Sequence, residues 1–235
     1  MVEKLIANAK AQKKALMQQL LTNQKRLPGF TGEWTSTTLE KIAKIIVSNV
    51  DKKSVQDETA VRLCNYMDVY RSDQIEADMS FMAATATNAQ IEKFVLKVGD
   101  VLITKDSETP DDIAVPSYVA STAADLICGY HLAMIRPKKG TIGLFLKFYF
   151  EHPHTQYFFA SRANGATRFG LTVGAIETAP IELPSYEEQQ KIADTIETAE
   201  TEIRRLVPIV ERLRQEKSAL MQQLLTGKRR VKVVG

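Results

Sequence analysis

The longest regular pattern of apolar and polar positions lies toward the C-terminus. There Ile192, Ile196, Ala199, Ile203, Leu206, Val210, Leu213, Lys217, Leu220 and Leu224 recur at alternating spacings of four and three. This is the heptad seam of a long helix that pairs with another helix. Its start is marked by Pro184 followed by Ser185 and Glu188, an S-x-x-E capping box in which hydroxyl and carboxylate each satisfy a free backbone donor. Gly227 supplies a stop, and Lys228, Arg229 and Arg230 complement the negative helix end. Pro208, inside the run, predicts a kink near Arg204 to Pro208. About forty residues at roughly 1.5 Å each make a rod on the order of 60 Å, too long to wrap a small core.

The same face recurs at the other end of the chain. Residues 15–22 read ALMQQLLT and residues 219–226 read ALMQQLLT again. Leu5 matches Ile209, Ile6 matches Val210, Lys13 matches Lys217, and basic residues follow both copies. One repeated helix at either end is not a solenoid, which stacks at least about three units. It predicts two struts, roughly 2–22 and 185–227, flanking one globular region, with Leu16 and Leu20 joining the seam as an interface. Periodicity leaves open whether the partner of each strut is the other strut, a second copy or another protein.

Between the struts, strand-like and helix-like segments alternate. Phe94, Leu96, Val98, Val101 and Ile103 bracket Gly99–Asp100 as a hairpin-like turn, and Leu126, Cys128, Tyr130, Leu132 and Met134 alternate as one half-buried strand. Residues 141–162 form an aromatic-rich helical stretch, interrupted at Pro153, whose rings belong mostly to the core. After it comes a polar loop, ASRANGATRFGLT (160–172), leading to a strand that ends near Pro184. Small, amide and Arg side chains held on such a loop suit base edges or phosphates.

Composition changes this picture little. The 235 residues are 44% hydrophobic and 25% charged, the balance of an ordinary globular protein. Cys64 and Cys128 form no CxxC pair and no charged-then-apolar leader opens the chain, which predicts buried thiols and a cytoplasmic location. No apolar run approaches the roughly 18 residues of a membrane span. Charge is more informative than its net value of +3. Residues 1–30 carry six Lys/Arg against one Glu, residues 204–235 nine against two, and the middle sixteen against twenty-five acids. Within the middle, Arg136, Lys138, Lys139, Lys147, Arg162 and Arg168 stand against Glu151 alone, a candidate basic patch.

Catalytic apparatus is scarce. There is no GxGxxG, no Walker A sequence and no pair of adjacent prolines, so no cofactor is expected. Pro110–Asp111 could open a nuclease core, but no later acid is followed two positions on by Lys. The H-x-H pair His152 and His154 has no thiol or carboxylate cluster beside it in sequence, so no metal is expected.

Four segments carry a family resemblance: IELPSYEEQQKIADTIE (181–197), KSALMQQLLTGKRRV (217–231), LKVGDVLITK (96–105) and NGATRFGLT (164–172). Together, over essentially the whole chain, they resemble the specificity subunits of type I restriction-modification systems. In that family two target-recognition domains are each followed by a helical region, and the two regions pair as an antiparallel coiled coil. This chain has one such domain, with the tail of one helical region before it and a complete one after.

The resemblance implies an α/β fold, a mixed-sheet recognition domain flanked by long coiled-coil helices. The expected division is 1–27 helix, 28–184 recognition domain, 185–227 helix and 228–235 basic tail. It further implies double-stranded DNA, modification (methyltransferase) subunits and a restriction subunit as partners, homodimerisation through the struts, and no chemistry by the chain itself. The expected DNA contacts are Arg162, Asn164, Gly165, Thr167 and Arg168 in the polar loop, then Asn65, Tyr66, Tyr70, Arg71 and Lys105. The competing class is a non-enzymatic helical scaffold whose central domain binds another protein.

Overall fold

The structure is a computed structural model that describes residues 2–51, 54–226 and 228. Along the chain run α1 (Val2–Leu20), β1 (Thr35–Thr38), α2 (Leu39–Ile42), β2 (Ala43–Val47), β3 (Thr59–Cys64), α3 (Tyr66–Arg71), β4 (Gln74–Ile75), β5 (Met82–Ala86), α4 (Asn88–Phe94) and β6 (Val101–Thr104). There follow β7 (Asp106–Ser107), β8 (Pro116–Val119), β9 (Leu126–Cys128), β10 (Leu132–Pro137), α5 (Gly143–Glu151), α6 (Pro153–Ala160), β11 (Phe169–Gly170), α7 (Val173–Glu177), β12 (Pro180–Leu183) and α8 (Tyr186–Leu225).

A mixed five-stranded sheet, β2-β10-β6-β8-β4, forms the centre, antiparallel except for the β4–β8 pair. Strand alternation splits its side chains between two cores. Val101, Ile103, Ala133 and Ile135 face a core closed by α5, α6 and the start of α8, while Leu102, Leu132 and Met134 face a second core under β3, β9 and α4. Both faces are dry, so β6 is buried at every position. A three-stranded sheet, β5-β3-β9, backs the second core, and two short ribbons, β1–β12 and β7–β11, complete the domain.

This double burial corrects two sequence expectations. The segment 126–134 is two strands in different sheets, both fully buried, parted by a crossing at Gly129–His131 where His131 takes φ +70°. At Gly129 a Cβ would meet the Cys64 carbonyl oxygen at 2.7 Å, so the chain passes there only as glycine. Before Gly99 there is no strand: α4, begun by a capping box of Thr87 and Gln90, ends at Phe94, and Val95 makes a single bridge to Ile127. The turn is held by Lys97 N–H donating to Asp100 Oδ2 (2.8 Å), with Gly99 at φ +96°.

The aromatic stretch folds as α5 and α6, broken at His152–Pro153, and its rings are core except Tyr157, which is 74% exposed. Helix α7, unforeseen, lies between the polar loop and β12. Cys64 and Cys128 are free, buried and aligned across the parallel β3–β9 pair, and burial pushes both thiols up.

The struts are helical, with α8 continuous through Pro208 for 40 residues. Ser185 caps it by accepting from Glu188 N–H (3.3 Å), but only half of the capping box forms. The Glu188 carboxylate turns instead to Arg26, which grips it with two donors at 2.7 Å each. The stop at Gly227 and the charges of Arg229 and Arg230 lie outside the described residues; Lys228 is exposed. Helix α1 packs against α8, and Lys13–Glu200 followed by Arg26–Glu188 fixes an antiparallel sense.

The seam is buried unevenly. Ile192, Ile196, Ile203 and Val210 are buried and Leu206 is half-buried, against buried Leu20 and half-buried Leu16 on α1. From Glu211 to Thr226 every residue is exposed, including Leu213, Leu220 and Leu224. No described helix is long and apolar enough to cross a membrane.

Candidate nucleic-acid interface

A cleft of about 560 Å³ is lined by residues from five separated stretches of chain. Four residues singled out in the sequence meet there: Asn65, Tyr66, Tyr70 and Arg168. The short helix α3 presents the first three. Its N-cap is Asn65, locked by a reciprocal box in which Asn65 N–H donates to Asp68 Oδ2 at 2.7 Å. Tyr66 and Tyr70, one turn apart, stack with centroids 5.7 Å apart and planes at 15°.

Arg168 arrives from the polar loop. That loop is tied back by β11 pairing with β7 and by a reciprocal bridge between Asn164 and Gly170, with N–H to oxygen distances of 3.0 and 2.9 Å. Gly165, at φ +153°, makes the closure possible, because a Cβ there would stand 1.8 Å from the Arg168 carbonyl oxygen. Its small size therefore serves the loop itself. The Arg168 side chain is exposed and forms no ion pair among the described residues.

The other loop candidates do not line the cleft. Arg162 lies over the Phe158 ring at 3.6 Å and donates to Phe158 O and Ser161 Oγ. Asn164 Nδ2 donates to Arg162 O, and Thr167 is exposed on the loop tip. Arg71 is exposed at the end of α3, outside the cleft. Lys105 borders it, its Nζ 3.2 Å from Asp106 Oδ1 and its carbonyl accepting from Leu171 N–H.

The cleft also holds residues that sequence reading missed: Asp51, Asp106, Glu108, Asp112, Tyr130 and His131. His131 Nδ1 lies 2.6 Å from Asp106 Oδ2, and the Tyr130 ring sits 4.0 Å from the imidazole. Tyr70 donates its hydroxyl to Asp112 Oδ2 at 2.9 Å, and this bond raises the Tyr70 phenol above its ordinary value. Burial, then the charge of Asp112, raises Tyr66. Both phenols stay protonated at neutral pH and remain donors, set among carboxylates that accept. Such a wall suits the donor and acceptor edges of bases better than phosphates, which four carboxylates repel.

Of the basic residues expected as a patch over 136–170, Lys138, Lys139, Arg162 and Arg168 are exposed, whereas Arg136 and Lys147 are committed inside the fold. Arg136 is spent on Asp100 with donors at 2.7 and 2.8 Å, Lys138 donates to Glu40 O, and Lys147 is buried at 1% exposure. Lys147 and Lys13 form an internal cluster with Glu151 and Glu200, where Lys147–Glu151 is 2.5 Å and Lys13–Glu151 2.8 Å. Asp73 joins Glu151 and Glu200 as the carboxylate group gathered among the described residues, and Lys13 and Lys147 pair with the two glutamates. In the EHPHT stretch, His152 accepts from His154 N–H through Nδ1, and its Nε2 lies 3.1 Å from Gln18 Oε1.

Residues 31–208 match the model of the type I restriction modification DNA specificity domain. No curated protein sequence matches the chain. Among solved structures, a chain from work on the assembly and conformational transition of the type I R-M system superposes with a TM-score of 0.61 at 18% identity, over 94% of this chain and 54% of that one. The S subunit of the type I system of M. genitalium gives 0.60 at 12%, over 95% and 55%. The HsdS subunit from Thermoanaerobacter tengcongensis gives 0.54 at 18%, over 94% and 53%. At these identities the structures establish a shared fold, and the chain spans about half their length. The fold and the domain match together define a restriction-modification specificity module. The chain belongs to the type I restriction-modification DNA specificity family.

Proposed function

We propose that residues 28–184 read one half of a bipartite DNA site and that the struts, 1–27 and 185–227, act as rod and docking surface for methyltransferase and restriction subunits. The observation that carries this reading is the convergence, in a chain of the specificity family, of Asn65, Tyr66, Tyr70 and Arg168 on one cleft. Arg168 is suited to a guanine edge, with the carboxylates accepting from exocyclic amino groups. Arg162, Asn164 and Thr167 on the adjoining loop, with Lys105 and Arg71, supply the flanking contacts. The chain itself carries no methyl transfer or cleavage; adenine methylation comes from the docked subunit.

The test is a methylome. Expressed with a cognate modification subunit, the chain directs adenine methylation to one short bipartite sequence, and exchanging residues 28–184 for another domain of the family changes that sequence. Methylation that is unaltered by the exchange, or methyl transfer by the isolated chain with S-adenosylmethionine, overturns the reading.

A further inference from the structure

The duplicated segment is buried in its first copy and bare in its second. At the end of α1, Met17, Leu20 and the following Leu21 are 7%, 3% and 3% exposed, sealed in the core with residues of α5 and α8. Their counterparts 204 positions on, Met221, Leu224 and Leu225, are 50%, 40% and 81% exposed. The same side chains thus have a built seat at one end of the molecule and none at the other.

The repeat extends to the polar groups that lock α1 into this seat. Lys13, which bridges Glu151 and Glu200, is matched by Lys217; Gln18, which faces His152, by Gln222; and Arg26, which grips Glu188, by Arg230. Asn23, at φ +58° in the turn after α1, is matched by Gly227, the residue that adopts that conformation most readily. Apolar anchors, ion-pair partners and turn residue all recur in register, which an unrelated amphipathic helix would not show. The first half of α1, by contrast, is loosely held. Leu5 is 51% exposed, and a cleft of about 730 Å³ is lined by Lys10 and Lys14 of α1 and by Val207 and Pro208 of α8.

We infer that the C-terminal segment 209–230 of one copy of this chain docks in the α1 seat of a second copy, displacing α1, so that identical segments compete in cis and in trans for one site. The exposed end of α8, sixteen residues or about 24 Å, is the reach that carries the segment across to the partner. Residues Glu151, Glu200 and Glu188 receive Lys217 and Arg230 there as they receive Lys13 and Arg26 here. The inference rests on the specificity reading proposed above and on the strut pairing that the family resemblance implies, and names which surfaces meet.

The experiment uses the full chain with photoreactive benzoylphenylalanine at Leu225, mixed with isotope-labelled wild type at about 50 µM, a range in which weak interfaces associate. Interchain crosslinks on Phe148 to Pro153 are expected. Met221→Glu with Leu225→Glu, both exposed in the single chain, should leave its helicity unchanged and abolish association. Two further variants have opposite signs: Lys13→Ala, which loosens the cis segment, raises seat crosslinking several-fold, whereas Lys217→Ala lowers it several-fold. A monomer at this concentration, crosslinks confined to α8, or changes of equal sign in the Lys13 and Lys217 variants overturns the inference. DNA binding through the cleft, measured on the same samples, is independent of the outcome and reports separately on the specificity reading.

Discussion

At the scale of single residues, position in the fold decides what each charged group does, and charge counts along the chain mislead. Lys147 lies in the most basic stretch of the central region yet is 1% exposed and committed to Glu151 and Glu200. Replacing one member of a buried pair leaves the rest uncompensated, so Lys147→Met should cost about 3 kcal/mol, read as a shift of the urea midpoint. In the same cluster, burial alone would raise the Glu200 pKa, but Lys147 and Lys13 outweigh it and hold the carboxyl below its ordinary 4.5. A depressed folded-state pKa gives stability that is present above 4.5 and lost as pH falls through the folded value. Glu200→Gln should therefore flatten the acid limb of the thermal midpoint against pH, while leaving the chain less stable at neutrality. In the cleft, Arg168→Ala should weaken specific DNA binding by about 1–3 kcal/mol if the guanidinium reads a base. The matching change at Arg71, outside the cleft, should cost less and shift no sequence preference; competition binding against altered half-sites checks both.

At the scale of elements, legibility in sequence followed length and one-sidedness. Helix α8 was readable because one stripe of a 40-residue helix is apolar over many turns, and Pro153 marked the α5–α6 break directly. In the region 94–134 the strand after Gly99 was legible and is β6, whereas β9 and β10 merged into one because both are short and buried over 126–128 and 132–135, which erases the period of two. Thr87 and Gln90 did carry a helix-start signal for α4, overlooked beside the Gly99–Asp100 turn. The cleft was half legible. Aromatic, amide and Arg side chains in CNYMDVYRS and NGATRFGLT pointed to it, whereas Asp51, Asp112 and His131 enter through tertiary crossings that no local spacing encodes. The crossing at His131 is itself testable. A non-glycine residue at φ +70° is strained, so His131→Gly should relieve backbone strain while removing the 2.6 Å contact to Asp106. Its expected outcome is a small stability change, under about 1 kcal/mol, with weakened DNA binding.

At the scale of the whole molecule, the acidic cleft constrains how the protein meets a polyanion. Sixteen basic residues in the central region are outnumbered by twenty-five acids, and the basic ends lie on the struts. In and around the cleft the candidate cations are Arg71, Lys105, Arg162 and Arg168, so contacts from these neutralise about four phosphates at most, giving a log–log salt slope near −4 or shallower by the 0.9-per-contact rule. Two paired copies engaging both half-sites should roughly double it, to about −7, and identical domains in inverted orientation require a palindromic site. Fluorescence anisotropy on a half-site and on a full palindrome, across a series of salt concentrations, measures both slopes. A half-site slope well beyond −5 would mean that the struts, with Lys10, Lys14 and the basic tail, hold the DNA instead. The cleft would then be a poor candidate for the reading surface. A shallow half-site slope with affinity that falls in Tyr66→Ala and Arg168→Ala would place recognition on base edges, as its paired phenols and carboxylates suit it to do.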